Sequence, residues 1–290
     1  MAAPGRLLIF GLGYTGNAIG LAAAAAGYAV TATSRDLKLV APPGIEVIPF
    51  DAAEQAIAAA THVVATAAPD AGGDPALARH GAAIAGARDL SWIGYLSSTG
   101  VYGDQGGAWV DETSPPAPVS RRAKARRAAE EAWEAVGAAR GTPLDIIRLA
   151  GIYGPGRSPF DDLRAGRARR IDKPGHAFGR IYRDDIADGA VAAMRQAARL
   201  AGRRVLNFND DLPAEPAVVV EEAARLLCVA PPPLVPFAEA EPGMTAMGRS
   251  FWAESRRVSG AATQAALARA WRFPTFREGL RAILAQEARG

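Results

Sequence analysis

Hydrophobic and polar positions divide this chain into two alternating kinds of segment. Short runs such as residues 6–10 (RLLIF) and 144–149 (LDIIRL) are almost entirely apolar, which is typical of strands buried on both faces of a parallel sheet. Ala-rich stretches between them are typical of helices, and Gly27 follows the first one as a C-cap. The predicted strands are residues 6–10, 28–33, 46–50, 62–66, 92–97, 144–149 and 204–207. The predicted helices are residues 17–26, 54–60, 76–87, 121–139 and 184–199.

This alternation predicts an α/β fold with a doubly wound parallel sheet of the Rossmann type. Beyond Gly151 the pattern becomes irregular and is interrupted by Pro and Gly. We therefore expect a Rossmann domain from residues 1–152 and 179–210. A smaller, discontinuous C-terminal lobe, from residues 153–178 and 211–290, is expected to bind the substrate.

Composition narrows the class of protein. The 290 residues are 49% hydrophobic and 22% charged, as in ordinary globular proteins. A net charge of +3 leaves nucleic-acid binding as an alternative, but no recognition module accompanies it, so we expect no nucleic-acid partner. No apolar stretch approaches the roughly twenty residues that span a bilayer, and no signal peptide is visible. These features predict a cytoplasmic protein without a membrane partner.

The numbers and positions of the cysteine and histidine residues argue against an intrachain disulfide and a metal site. Cys228 has no partner for an intrachain disulfide, which suits a reducing compartment, and we expect it to be a small core residue. His62, His80 and His176 lie far apart without metal-ligand spacing. The sequence therefore predicts no bound metal.

A glycine-rich turn follows the first predicted strand and precedes the first predicted helix. Residues 11–16 (GLGYTG) match Gly-x-Gly-x-x-Gly, in which the glycines permit a tight turn, close approach of a pyrophosphate and close helix packing. The N-terminus of the helix offers N–H groups and partial positive charge to phosphates. The alternative is a glycine-rich turn without a ligand. The residues predicted to contact a dinucleotide here are Gly11, Gly13, Tyr14, Thr15 and Gly16.

The end of the second strand bears on the choice of coenzyme. NAD-preferring proteins usually place an acidic residue there, on the ribose 2′-hydroxyl, whereas this chain has Ser34 and Arg35. A hydroxyl and a guanidinium suit a 2′-phosphate, which predicts NADP. Asp36 keeps NAD possible, since a small shift would bring its carboxylate near the ribose; its other interpretation is a helix N-cap.

Four further motifs connect the chain with a known group of proteins. They are residues 95–103 (YLSSTGVYG), 148–156 (RLAGIYGPG), 180–187 (RIYRDDIA) and 271–280 (WRFPTFREGL). With these motifs the chain resembles the extended short-chain dehydrogenase/reductases, the NAD-dependent epimerases and dehydratases that act on nucleotide sugars. The resemblance implies a small-molecule, anionic substrate and a possible homodimer.

The resemblance also implies roles for individual residues. The further residues expected at the coenzyme are Asp51 near the adenine, Thr66 and Ala67 beside the ribose and pyrophosphate, Ser97, and Ala150, Gly151 and Ile152 beside the nicotinamide. Ser98 matches the hydroxyl residue that hydrogen-bonds the reacting oxygen; the alternative is a polar strand end. The residues expected at the substrate are Tyr102, Tyr153, Arg170 and Arg180.

One departure from this group concerns the catalytic helix. The group carries Tyr-x-x-x-Lys with a Glu eight residues after the Tyr, and counting back from Glu130 places Arg122 and Arg126 at the two catalytic positions. Ser120 and Lys124 have the right spacing but the wrong register. A guanidinium stays protonated near neutral pH, so Arg122 and Arg126 are expected to stabilise an oxyanion or a phosphate. The alternative is a solvated basic helix face.

Two functions follow from this sequence. One is an NADP-dependent, epimerase-like oxidoreductase that acts on a nucleotide sugar or a related carbonyl or hydroxyl compound, with chemistry altered by the missing tyrosine. The other is a non-catalytic, dinucleotide-binding protein that responds to redox state.

Overall fold

A seven-stranded parallel sheet forms the centre of the fold, as predicted. The computed structural model describes residues 5–36 and 38–289; the predicted domain ends at residues 1–4 and 290 lie outside these ranges. The strands of the sheet are β1 (Arg6–Phe10), β2 (Ala29–Ser34), β3 (Ile45–Pro49), β4 (His62–Ala65), β5 (Trp92–Ser98), β7 (Leu144–Leu149) and β11 (Arg203–Phe208). The two-residue strand β6 (Trp109–Val110) lies outside it.

Strand order in the sheet is β11-β7-β5-β4-β1-β2-β3. The chain therefore starts in the middle, proceeds from β1 to β3 on one side, and returns to build the other side from β4 onward. The order reverses between β1 and β4. In open α/β sheets, ligands bind at the carboxyl ends of the strands where the order reverses.

Eleven helices accompany the strands in the described residues. They are α1 (Tyr14–Ala25), α2 (Glu54–Ala59), α3 (Pro75–Gly86), α4 (Arg121–Arg140), α5 (Pro159–Arg164), α6 (Arg183–Arg195), α7 (Pro216–Leu226), α8 (Phe237–Ala240), α9 (Ala246–Trp252), α10 (Ala261–Leu267) and α11 (Phe276–Glu287). The remaining short strands are β8 (Gly151–Tyr153), β9 (Arg170–Asp172), β10 (Arg180–Tyr182), β12 (Leu234–Pro236) and β13 (Arg257–Val258).

The predicted strand boundaries agree with the structure to within one residue, but two helices differ. Helix α1 begins at Tyr14, three residues before the predicted start, because Gly13 already takes the N-cap position. The segment predicted as one helix over residues 184–199 ends at Arg195, and a 3₁₀ turn, Ala197–Arg199, follows it.

The chain forms two compact units, whose limits differ from the predicted domains. Unit 1 comprises Met1–Ser98, Arg121–Arg148 and Ile186–Leu206. Unit 2 comprises Thr99–Ser120, Leu149–Asp185 and Asn207–Gly290. The two units are similar in length, and the predicted division into a Rossmann domain and a substrate-binding lobe stays a prediction.

Long-range pairing explains why residues 99–120 belong to unit 2. Strand β6 pairs in parallel with β13, nearly 150 residues later. The backbone N–H groups of Gln105 and Gly107 also donate to the Ser255 carbonyl, at 2.9 and 3.0 Å. Strand β8 likewise pairs with β10, which brings both into unit 2.

Each unit has its own hydrophobic core. The core of unit 1 includes Leu8, Phe10, Val63, Ile93, Trp133 and Ile146. That of unit 2 includes Tyr153, Phe160, Tyr182, Val219, Phe276 and Leu280. Cys228, expected in the core, is exposed, because it lies just beyond the end of α7 in a left-handed conformation (φ 57°).

The described residues lack two features, a helix that could cross a membrane and a cluster of side chains that could hold a metal ion. Among these residues, no helix combines the length and the apolar character that crossing a membrane requires. Within the same part of the chain, His, Cys, Asp and Glu side chains form no group of three or more that could hold a metal ion.

Candidate functional site

Two glycines of the 11–16 loop are required by the fold itself. Gly11 has a φ of +105°, and a Cβ there would lie 2.9 Å from Thr66 Oγ1. A Cβ on Gly16 would lie 2.2 Å from the Gly11 carbonyl oxygen, because the first turn of α1 packs directly against the loop. Neither position accepts a side chain without rearrangement.

Gly13 is different, because nothing in the protein requires a glycine at this position. Its backbone is extended (φ −86°, ψ −165°), a conformation open to any residue, and a Cβ there would meet no atom within 4 Å. Gly13 is the N-cap of α1, it provides no side-chain cap, and the first turn contains no acidic residue. The positive end of α1 thus has open space beside it, which fits the pyrophosphate of a dinucleotide.

Threonines from the two neighbouring strands hold this loop. The Gly11 N–H donates to Thr33 Oγ1 at 3.2 Å, and the Leu12 N–H donates to the Thr33 carbonyl at 3.0 Å. The Thr66 hydroxyl donates to the Gly11 carbonyl at 2.6 Å. The role of Thr33 in holding the loop was not predicted, although the sequence places this residue at the end of the second strand. The predicted ribose contact of Thr66 and its neighbour Ala67 stays a prediction, although both lie against the loop.

The residues predicted to discriminate between NADP and NAD lie at the carboxyl end of β2, beside the end of β1. The Ser34 hydroxyl donates to the Asp36 carbonyl at 2.9 Å and accepts from the Asp36 N–H at 3.0 Å. The Asp36 carboxylate accepts from the Lys38 N–H at 2.9 Å, so it is engaged in its own turn. Arg35 is exposed.

Asp51, predicted near the adenine, lies in a 3₁₀ turn after β3. Its carboxylate is exposed and lies 3.4 Å from Arg79 Nε. The predicted contact stays a prediction.

Arg126 lies at the carboxyl ends of β4 and β5. Its Nη1 donates to the Leu96 carbonyl at 2.7 Å, to the Tyr95 hydroxyl at 3.3 Å and to the Ala67 carbonyl at 3.4 Å. Helix α4 contains no tyrosine over its whole length, and Arg122, one turn before Arg126, is exposed. A fixed cation therefore lies at this edge of the sheet.

Tyr95 offers a phenol close to Arg126, which the sequence analysis did not single out. Its side chain is fully buried and its ring stacks on Trp133. Burial raises the pKa of Tyr95 to about 12, against the opposing effect of Arg126. The phenol thus stays protonated at neutral pH.

Ser97 lies in a buried group of hydrogen-bonded side chains. Its buried hydroxyl donates to Glu130 Oε1 at 2.6 Å, and the predicted contact of Ser97 with a coenzyme stays a prediction. Glu130 also accepts from Arg148 Nε at 3.0 Å and Nη2 at 2.8 Å, and from Arg127 Nη1 at 3.0 Å. Burial alone would raise the pKa of Glu130, but the hydrogen bonds from Arg148 and Ser97 lower it below its usual range.

Ser98 is the last residue of β5 and is half-buried. Its predicted role at the reacting oxygen stays a prediction. Ala150, Gly151 and Ile152 lie at the carboxyl end of β7 and in β8, within unit 2. The Gly151 N–H donates to the Gly179 carbonyl at 3.1 Å.

The two tyrosines predicted at the substrate are core residues of unit 2. Tyr102 is fully buried and its hydroxyl donates to Asn207 Oδ1 at 2.8 Å. The Tyr153 ring packs so closely on α11 that a Cβ on Gly279 would lie 2.1 Å from the phenol oxygen. The predicted substrate contacts of these two tyrosines stay predictions.

The two predicted substrate-binding arginines also have partners within unit 2. Arg170 donates to Glu221 Oε2 at 2.9 Å. Arg180 donates through Nη1 to the Phe178 carbonyl at 2.9 Å and the Ala214 carbonyl at 3.0 Å. Both side chains thus stabilise unit 2, and their predicted contact with a substrate stays a prediction.

Comparison with known proteins gives the class of the chain. The sequence profile of the NAD dependent epimerase/dehydratase family matches residues 82–208. A solved structure of a conserved, functionally unknown protein from Silicibacter pomeroyi DSS is 41% identical, with a TM-score of 0.86, and the match covers 98% of this chain and 99% of that one. Residues 82–208 thus match the NAD-dependent epimerase/dehydratase domain that the sequence motifs resemble.

Two further similarities are partial or more distant. Protein YeeZ of Escherichia coli K12 is 36% identical over 140 residues, which cover 48% of this chain; the chain spans about half the length of this curated relative. The structure of MoeE5 in complex with UDP-glucuronic acid and NAD is 21% identical, with a TM-score of 0.79, and the match covers 98% of this chain and 99% of that one. The likeness to MoeE5 shows the fold.

Proposed function

We propose that this chain binds a nicotinamide dinucleotide with its pyrophosphate at the N-terminus of α1. The observation that carries the proposal is Gly13, where neither backbone conformation nor packing requires a glycine. A side chain there would occupy only the space beside the uncapped helix end. The absence of that side chain is explained if a phosphate group approaches the backbone closely.

NADP is the coenzyme that the end of β2 favours. Arg35 is exposed, whereas the carboxylate of Asp36 is engaged by the Lys38 N–H. The guanidinium offers donors to a 2′-phosphate, whereas the Ser34 hydroxyl already donates its proton to the Asp36 carbonyl.

With a bound nicotinamide, we propose an epimerase-like oxidoreductase that acts on a nucleotide sugar or a related anionic carbonyl or hydroxyl compound. The coenzyme supplies the hydride chemistry, and the protein supplies binding and alignment. The match of residues 82–208 to the family supports this proposal, as does MoeE5, whose structure holds UDP-glucuronic acid and NAD. Ser98 would donate to the reacting oxygen, and Arg122 would stabilise negative charge. A homodimer and a cytoplasmic location remain predictions.

A specific observation favours a second candidate, a dinucleotide-binding protein without turnover. Helix α4 contains no tyrosine, and the Arg126 guanidinium is bound to the Leu96 and Ala67 carbonyls. A guanidinium does not exchange its proton near neutral pH. In this case the bound dinucleotide would report redox state instead of reacting with a substrate.

Calorimetric titration with NADP and NAD tests the binding proposal. Gly13→Leu should fold normally, since its Cβ meets nothing, but should lose dinucleotide affinity by at least about a hundredfold through exclusion of the phosphate. Gly86→Leu is the matched control, because its Cβ also meets no atom within 4 Å and it lies at the end of α3. Unchanged affinity in Gly13→Leu would overturn the proposal.

The same titration tests the preference between coenzymes. Arg35→Asp should shift the ratio of affinities from NADP toward NAD, and an unchanged ratio would remove the argument for the 2′-phosphate. A coenzyme-linked absorbance change with nucleotide sugars then separates the two candidate functions.

A further inference from the structure

We propose that Arg126 is a positioning residue, which holds the loop between β4 and α3 in the form that the pyrophosphate of a dinucleotide requires. The proposal rests on the proposed function. It assigns Arg126 a role within unit 1 that needs neither exchange of its proton nor direct contact with a substrate.

The loop between β4 and α3 comprises residues 66–74 and lies against the glycine loop (residues 11–16). At its start, the Thr66 hydroxyl donates to the Gly11 carbonyl at 2.6 Å. A Cβ on Gly11 would lie 3.4 Å from the Ala67 backbone nitrogen, so the two loops are packed together there. A displacement of Thr66 would move the Gly11 carbonyl or remove this donor from it. The position of the 66–74 loop therefore affects the turn at the N-terminus of α1.

The middle of the 66–74 loop forms a local turn at the surface. Residues 70–73 are exposed, and the Asp70 and Gly73 backbones bond to each other, at 3.0 and 3.3 Å. A turn of this kind fixes its own conformation but not its place on unit 1. The contacts at the two ends of the loop must therefore place it.

Arg126 on α4 interacts with both ends of this loop. Its Nη1 lies 3.4 Å from the Ala67 carbonyl, at the start of the loop, and 2.7 Å from the Leu96 carbonyl on β5. At the other end, Asp74 is buried as the N-cap of α3 and accepts from the Ala76 N–H at 3.0 Å. Burial raises the pKa of Asp74, and the Arg126 charge is among the effects that oppose this rise. The guanidinium thus connects the loop to α4 and to β5.

Arg126 lies where the pairing between β4 and β5 ends. The last pair in their parallel ladder is Ala65 with Tyr95. The carbonyls of Ala67 and Leu96 lie beyond this pair, and Arg126 bridges them. A guanidinium suits such a bridge, because its planar group spreads its donors over several nitrogens, whereas a lysine has its donors on a single nitrogen.

Calorimetric titration with NADP and with 2′-phosphoadenosine 5′-diphosphate tests this role. The second ligand keeps the adenosine half and the diphosphate but lacks the nicotinamide and its ribose. Arg126→Gln should weaken binding of both ligands by the same factor, on the order of tenfold, because both depend on the pyrophosphate site. Lys124→Gln is the matched control, an exposed cation on the same helix, and should leave both affinities unchanged. Arg126→Lys keeps the charge but not the bridge, and should restore affinity only in part.

A double-mutant cycle with Thr66→Val tests whether Arg126 acts through the loop. Thr66→Val removes the hydroxyl that donates to the Gly11 carbonyl and should itself weaken binding. Arg126→Gln should then cause a smaller loss of affinity in the Thr66→Val background than in the wild type. The Tm of each variant is measured without ligand, and the titrations are made well below it, so that unfolding is not counted as lost affinity. If Arg126→Gln does not fold, Arg126→Lys carries the same comparison of ligands and backgrounds.

The outcomes separate this inference from the proposed function. If the wild type binds neither ligand, the proposed function fails. If it binds them and Arg126→Gln keeps both affinities, the positioning role is overturned while dinucleotide binding stands. A loss for NADP alone would show that Arg126 contacts the nicotinamide half directly, and full recovery in Arg126→Lys would show that charge alone is needed. Either result overturns the inference, as do fully additive effects in the cycle.

Discussion

Asp210 is a buried acid of unit 2. It is 1% exposed, and the backbone of Arg180 and Leu212 interacts with its carboxyl group. Burial raises its pKa from 3.8 to about 8, although the nearby Arg180 guanidinium opposes this rise and Asp211 adds to it. At neutral pH Asp210 is therefore mainly a neutral acid.

This pKa predicts an unusual dependence of stability on pH. In the unfolded chain Asp210 ionises near 3.8, whereas in the folded chain it keeps its proton up to about 8. Its contribution to stability is thus fully present below 3.8 and is lost as pH rises to about 8. In this window the free energy of unfolding should fall by up to about 1.4 kcal/mol per pH unit. Asp210→Asn, which resembles the neutral acid, should remove this loss in urea denaturation.

The neighbouring Asp211 provides the control. It is exposed and accepts a hydrogen bond from Gln264 Nε2 at 2.8 Å. Asp211→Asn should keep most of the wild-type dependence on pH, because burial is the largest cause of the raised pKa of Asp210 and Asp211 is the smallest of its named causes. Parallel curves for the wild type and Asp210→Asn between pH 4 and 8 would show that Asp210 ionises normally.

The sequence was least informative about the partners of single polar residues. The sequence assigned Ser97 to the coenzyme and Tyr102 and Arg170 to the substrate. The structure gives them the partners Glu130, Asn207 and Glu221. Periodicity shows which face of an element is buried; it does not show whether the partner of a polar side chain is protein or ligand.

At the scale of elements, Glu130 joins α4 to the sheet. Its side chain is completely buried and accepts hydrogen bonds from Ser97 on β5 and from Arg148 on β7. The bidentate contact with Arg148 satisfies both carboxylate oxygens. This link fixes the helix that carries Arg122 and Arg126.

Glu130→Gln should therefore destabilise unit 1 strongly. The amide keeps the shape of the side chain but leaves the buried Arg148 without its counter-charge, and breaking one side of a buried ion pair costs about 3–5 kcal/mol. The free energy of unfolding in urea measures this loss. Glu131→Gln is the control in the next position, where the side chain is 59% exposed and its ion pair with Arg127 should contribute less than about 1 kcal/mol. Equal effects of the two substitutions would contradict a structural role for Glu130.

Long regular elements were predictable, and short ones were not. Strand β1 and helix α4 have enough apolar or helix-forming residues in succession to be recognised. Strands β6 and β13 have two residues each, and their pairing depends on segments almost 150 residues apart. No local pattern encodes this pairing, which is why the sequence assigned residues 99–120 to the Rossmann domain, whereas they lie in unit 2.

At the scale of the whole molecule, many arginines are paired within the chain. Arg148, Arg204, Arg164 and Arg225 lie within 2.8 Å of a carboxylate oxygen, on Glu130, Asp145, Glu287 and Glu222. The net charge of +3 therefore does not indicate an unpaired basic surface of the kind that binds nucleic acid. The absence of a nucleic-acid partner stays a prediction.

The last prediction concerns the thermal unfolding of the chain. A ligand that binds only the folded state adds about 2.7 kcal/mol at a hundred times its dissociation constant. For a chain of this length that corresponds to a rise in Tm of about 4 °C. NADPH should produce this rise in the transition that includes unit 1, because the glycine loop (residues 11–16) belongs to unit 1. In Gly13→Leu the Tm without ligand should be lowered only by the poorer N-cap that Leu provides, and NADPH should not raise it. A rise of the same size in Gly13→Leu would show that the ligand stabilises the chain through a different site.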